Sequence, residues 1–333
     1  MSKQSARYRH LAKLLAFVIG ISLALPITGC NTPEERPANP DRLIRIGTMA
    51  TEDMLPYWLA EQDKMFTAYE LKAEVITFQS AQELSTAFAA GEIDMAMTDA
   101  MVAVSLVAGG TPLQILWVTL GMSADEGRFG ILANPNRGID SLEDLAGVPV
   151  AIGSNTIAEY TFDRLMLAAG VPAEDIAYEE VMKVPVRYEM LVNNQVAAAA
   201  LPASLLYLGE QNGMVLVADD LKGENISQTI MVARSDFLES VSDTDAIYRL
   251  QQVWNDATFL INDNPRRYQT LLAEKAQLPA EIADSYPMQV YPPATRPPAW
   301  MIDDVINWMD QKGYLTAPVS YDQVSGDLTR ITE

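Results

Sequence analysis

The chain has 333 residues, 49% of them hydrophobic, and 44 Asp and Glu against 23 Lys and Arg give it a formal net charge of −21. This balance argues against nucleic acid as a partner, since such binding needs clustered Lys and Arg. The one histidine, His10, and the one cysteine, Cys30, lie at the very start. The rest of the chain can therefore build no Ser-His-Asp triad, Cys-His pair, histidine-bound zinc or disulfide framework, and no catalytic residue, metal or organic cofactor is expected.

The first residues carry an address. Lys3, Arg7, Arg9 and Lys13 precede a charge-free apolar run over 14–25, the layout of a signal peptide over 1–29. The run is well short of the roughly 20 residues a helix needs to cross a bilayer. It ends in Leu25-Pro26-Ile27-Thr28-Gly29-Cys30, which resembles the bacterial lipobox. That resemblance implies a diacylated Cys30 as the new N-terminus, with the two acyl chains that stable anchoring needs. Pro33, Pro37 and Pro40 then stiffen a polar tether over 30–41. The expectation is an exported, monomeric protein, lipid-anchored to the membrane and facing the periplasm or cell exterior.

Strands and helices then alternate. Residues 43–46 read as a strand, 55–65 as a helix, 72–77 as a strand and 80–90 as a helix. In that second helix Ser80 and Glu83 have capping-box spacing, and Leu84, Ala87 and Phe88 share a face. Gly91 closes it in the left-handed conformation. A strand over 95–97, a small-residue helix over 101–108 and a strand over 113–118 follow. The βαβ pattern predicts a mostly parallel sheet flanked by helices.

A second set repeats this plan. It has strands at 129–133, 148–152, 177–182, 197–201, 214–218 and 230–233, and a helix over 157–169 stopped by Gly170 and Pro172. From Ser235 onward strands nearly vanish, and helices are predicted over 244–262, 266–276, 280–285 and 300–312, divided by prolines. Trp254, Phe259, Trp300 and Trp308 read as core or helix-packing residues.

Two stretches carry a resemblance to a known family. Ala87-Phe88-Ala89-Ala90-Gly91-Glu92-Ile93-Asp94-Met95-Ala96 is similar to the segment LAAGEIDVA, and 138–147 with Gly153-Ser154-Asn155-Thr156 is similar to GIKSLADLKGKKVAV…GST. These belong to the substrate-binding proteins of ABC importers for nitrate, sulfonate, taurine and thiamine pyrimidines. The resemblance covers about 43–233. It implies an α/β, two-lobed periplasmic-binding-protein fold of type 2, with a helical C-terminal region. Lobe 1 would be 42–128 plus 234–333, lobe 2 129–233, with crossing strands near 129–133 and 230–233. It also implies a small-molecule ligand in the interlobe cleft, hinge closure, and an ABC permease with its ATPase as partners.

Ligands of open α/β sheets sit beyond the carboxyl ends of strands, against helix N-termini. Four loops meet that criterion: Thr51 and Asp53 after the first strand, Gln79 and Ser80 after the second, Thr98 and Asp99 after the third, and Ser154, Asn155 and Thr156 in the second lobe. Plain helix capping explains any one of them equally well. None holds Lys or Arg, which anion recognition would add, and Asp53 and Asp99 suit a neutral polar or amine-bearing ligand. Where many relatives carry a Trp-Glu-Pro-like segment, this chain has Leu201-Pro202-Ala203. Competing readings are a ligand-sensing or scaffold lipoprotein without a transporter, and a lyase on the same fold, which the leader disfavours.

Overall fold

The computed structural model describes residues 42–123, 126–221, 226–242 and 244–331. The leader over 1–29, Cys30 and the tether over 30–41 lie outside the described residues.

β1 (Leu43–Met49), helix α1 (Leu55–Gln62) and β2 (Lys72–Phe78) form the first βαβ unit, and β1 and β2 pair in parallel from Leu43↔Lys72 to Met49↔Phe78. Helix α2 (Ala81–Ala90) starts where the Ser80 side chain accepts the Glu83 N–H at 3.2 Å, and it ends at Gly91, φ +76°. β3 (Met95–Asp99) joins the other side of β1. Its start is fixed by Asp94, whose carboxylate accepts the Arg45 N–H and an Arg42 guanidinium N–H. The most family-like stretch of the sequence thus turns a helix into a strand. Helix α3 (Ala100–Ala108) and β4 (Leu113–Leu120) complete this run.

After β4 the chain builds a second sheet from β5 (Phe129–Ala133), β6 (Val150–Ile152), β7 (Tyr178–Glu180), β8 (Ala198–Pro202) and β9 (Val215–Asp219), in the order β7-β6-β8-β5-β9. Its helices are α4 (Ile157–Ala168), α5 (Val184–Val192) and α6 (Ala203–Gln211). Phe162 and Met166 of α4 pack with one set of its apolar side chains, and Leu191 of α5 and Leu206 of α6 with another. At Gly130 a Cβ would lie 2.5 Å from the Ala218 carbonyl oxygen, so only glycine fits where β5 and β9 shift register.

The chain returns with β10 (Thr229–Arg234), which inserts antiparallel between β3 and β4. Residues 229–233, expected with the second lobe, therefore belong to the first sheet, and the links between sheets are 121–128 and 220–228. Both sheets are consequently mixed, because β10 in one and β5 in the other run against their neighbours. Helices α7 (Ser235–Ser240), α8 (Ala246–Asp263), α9 (Gln269–Lys275) and α10 (Ala299–Gln311) follow. β11 (Val319–Tyr321) and β12 (Asp327–Arg330), which the sequence pattern did not suggest, extend the first sheet to seven strands in the order β11-β12-β4-β10-β3-β1-β2.

An aromatic nucleus welds α1 and α8 to the first sheet. Tyr57 packs edge-on against Phe66 and Trp254 at 5.2 and 5.3 Å, Trp117 lies 6.0 Å from Trp254, and Trp254 Nε1–H donates to the Pro292 carbonyl at 3.0 Å. Phe259 and Trp300 were expected to pack in the same way, yet they are 71% and 48% exposed. The periodicity of an amphipathic helix fixes which positions can be apolar, and these two fall on its outer face. The helix expected over 280–285 is a series of turns, because Pro279 and Pro287 leave too short a stretch to offset nucleation. Among the described residues, no helix is long and apolar enough to cross a membrane.

Candidate functional site

Where β1 and β3 end, their last residues face the segments that lead to and from the second sheet, and a cavity of about 120 Å³ opens between them. That is the size class of a cavity that admits one six-membered ring, about 150 Å³. Thr51, Glu52 and Asp53 line it after β1, and Thr98 and Asp99 at the end of β3. Arg128 and Phe129 come from the outward link, Ser227 and Thr229 from the return, and Pro202 to Ser204 from the end of β8. Apolar side chains such as Met49, Leu84, Met97 and Ile157 form much of the remaining wall.

Three carboxyl groups sit on this wall with protein around them and a little surface toward the cavity. Glu52 accepts from the Tyr286 hydroxyl at 2.5 Å and from Gln289 at 3.3 Å. Loss of water pushes its pKa up to about 8, the Asp53 charge adds to the rise, and those hydrogen bonds offset only part of it. Asp53 accepts from the Thr229 hydroxyl at 2.9 Å, and Thr229 in turn accepts from Thr119 at 2.8 Å. Burial raises its pKa. Asp99 caps α3 through the Val102 N–H at 2.8 Å, and burial lifts it to about 6 against that cap.

Arg128 is the one cation on the wall among the described residues. Its Nε donates to Asp219 at 2.8 Å and its Nη1 to Glu210 at 2.9 Å, so its charge is already matched twice. The links are tied to each other beside it: the Asp220 carboxylate accepts the Phe129 N–H at 2.8 Å and the Ser227 N–H at 3.1 Å.

A family model described as the periplasmic substrate-binding protein of phosphonate ABC transporters matches residues 51–241. The chain belongs to this family. As a substrate-binding component of an ABC importer, it shares its fold with solved relatives. The alkanesulfonate-binding protein SsuA from Xanthomonas axonopodis pv. citri, bound to MOPS, is 17% identical, with a TM-score of 0.66 over 84% of this chain and 93% of that one. The aliphatic sulphonate-binding SsuA from Escherichia coli is 18% identical, with a TM-score of 0.71 over 83% and 94%. PhnD1 from Prochlorococcus marinus, in complex with methylphosphonate, is 13% identical, with a TM-score of 0.55 over 83% and 99%. The two SsuA proteins are binding proteins by name. No curated protein sequence matches the chain.

Among the residues expected to bind ligand in this substrate-binding protein, Thr51, Asp53, Thr98 and Asp99 meet on the cavity wall. Gln79, Ser80, Ser154, Asn155 and Thr156 do not line it; their neighbours Ala81 and Ile157 do. Short polar side chains at a helix start are within reach of the local backbone and are used there. Ser80 caps α2, the Gln79 N–H donates to Glu83, and the Thr156 hydroxyl donates back to the Gly153 carbonyl at 2.6 Å. Asn155 takes up a left-handed φ of +53°, which Asn tolerates, and its N–H donates to Glu159. The sequence reading did not select Glu52, Arg128, Ser204, Ser227 or Thr229. The signal for Arg128, Ser227 and Thr229 was their position beside the two crossing segments, and for Ser204 its place just after the end of β8; the pattern located these points without assigning them side-chain roles. Among the described residues, no group of three or more acidic, His or Cys side chains could hold a metal ion.

Proposed function

We propose that the chain is an exported solute receptor, held at the membrane by a lipid on Cys30, that closes two lobes over a small organic solute and presents it to an ABC permease and its ATPase. The first lobe comprises 42–120 with the described residues of 229–331, and the second is built around β5 to β9. Thr51, Asp53, Thr98 and Asp99 hold the solute from the first lobe, and Phe129, Ser204 and Ser227 close on it from the second lobe and the return link.

One observation carries this reading. The cavity lies between strand ends of both sheets and is walled by both linking segments, so closure about those links changes the wall itself. A ligand that touches both sides gains contacts only in the closed state, which is the differential affinity a hinge needs.

The test is reconstitution of the neighbouring permease and ATPase in proteoliposomes. ATP hydrolysis should rise when the receptor and its solute are added together, and not with either alone. Cys30→Ser should release the protein from membranes or stall its processing. Unchanged fractionation and unchanged mass in that variant would remove the anchor, and unstimulated hydrolysis would remove the importer role.

A further inference from the structure

We infer that the solute taken by this cavity is a small organic cation, an amine or quaternary ammonium with an apolar body, and not a free phosphonate or sulfonate. This rests on the solute-binding reading above and narrows it. Glu52, Asp53 and Asp99 line the cavity against a single cation, Arg128, which is bridged to both Asp219 and Glu210. The described wall therefore has acid to spare: Glu52 keeps its proton near neutral pH, but an anion entering would still meet the Asp99 carboxylate with no free cation beside it. A cation would supply the partner that the carboxylates lack.

A second observation is independent of charge. Thr98 is only 7% exposed, lines the cavity, and makes no side-chain hydrogen bond among the described residues. A hydroxyl on the cavity wall with no protein partner is free to pair with a ligand, and its oxygen can accept from an N–H donor. A metal ion does not meet the need, because the carboxylates do not converge into a metal-binding group. The apolar side chains of Met49, Leu84, Met97, Phe129 and Ile157 suit a hydrocarbon body, and the Phe129 ring is a surface that attracts ammonium groups.

The experiment is thermal unfolding with four probes at equal millimolar concentration: propylamine, tetramethylammonium, ethylphosphonate and ethanesulfonate. At least one ammonium probe should raise the melting temperature, and neither anion should. By calorimetry, Asp99→Asn, which keeps the helix cap, should weaken that probe by about tenfold or more, and Thr98→Val should weaken propylamine several-fold. If an anionic probe raises the melting temperature and Asp99→Asn binds it as well or better, the cavity is a solute site but the cation class is wrong. If no probe of either charge shifts the transition, the cation class and the solute-binding reading both fall.

Discussion

Glu159 and Asp163 on α4 are buried and the acids around the cavity half-buried, yet it is the more enclosed pair that the fold supplies with a cation. Lys312 Nζ lies 2.9 Å from Glu159, 2.8 Å from Asp163 and 2.8 Å from the Tyr178 hydroxyl. The Trp308 Nε1–H donates to Asp163 at 2.9 Å, and the Tyr314 hydroxyl to Glu159. Burial works against the Lys312 charge, but these partners hold its pKa above the ordinary value. This cluster bolts the end of α10, on the first sheet, to α4 on the second. Around the cavity, Glu52, Asp53 and Asp99 are pushed up with no such cation. The acids of the α4 cluster come with their cation built in, whereas none of the three cavity acids has a salt-bridge partner among the described residues.

The largest effect should come from breaking the bolt. Lys312→Met leaves two enclosed carboxylates without their cation and should cost about 3 kcal/mol or more, read by urea unfolding. Trp308→Phe removes one charge-assisted hydrogen bond and should cost about 1.5 kcal/mol in the same assay. A loss under half of that for Lys312→Met would mean the cluster is a surface ornament.

Glu52 sharpens the contrast through pH. Its folded pKa of about 8 lies above its unfolded value of 4.5, so it keeps its proton in the fold and loses it on unfolding. Its contribution is fully present below pH 4.5, declines by up to about 1.4 kcal/mol per pH unit toward 8, and is gone above that. Glu52→Gln, which preserves an acceptor for Tyr286, should flatten that part of the stability curve between pH 5 and 8. An unchanged slope would mean that Glu52 is ionised in the fold.

The smallest effect is itself diagnostic. Asp53→Asn and Asp99→Asn should shift the stability of the free protein by no more than about 0.5 kcal/mol, or raise it, because their charge is disfavoured there while their acceptor oxygens survive. A loss comparable to that of Lys312→Met would make these acids structural and erase the distinction between the two regions.

Much of this was legible in the sequence. Hydrophobic periodicity and glycine stops give the order of strands and helices, since these are local effects. The rule that ligands gather at strand ends points to Thr51, Asp53, Thr98 and Asp99, which meet on the cavity wall. What local pattern cannot supply is direction and partner. That β10 returns to the first sheet depends on its pairing with Met95–Asp99 and Leu113–Leu120, far away in the chain. The Ser80 and Thr156 hydroxyls pair with the nearest backbone groups, and neither residue lines the cavity. Arg128 looks like an anion-binding residue in isolation, and its two acids arrive from 82 and 91 residues away.

The central claim is that the cavity acids await a cationic guest, and native mass spectrometry of the protein isolated from its own cell envelope tests it most directly. The expected result is one small amine-bearing molecule per chain, retained by Lys312→Arg and lost from Asp99→Asn. A stoichiometric phosphonate or sulfonate, or a chain that carries an amine equally well with and without the Asp99 carboxylate, would contradict it.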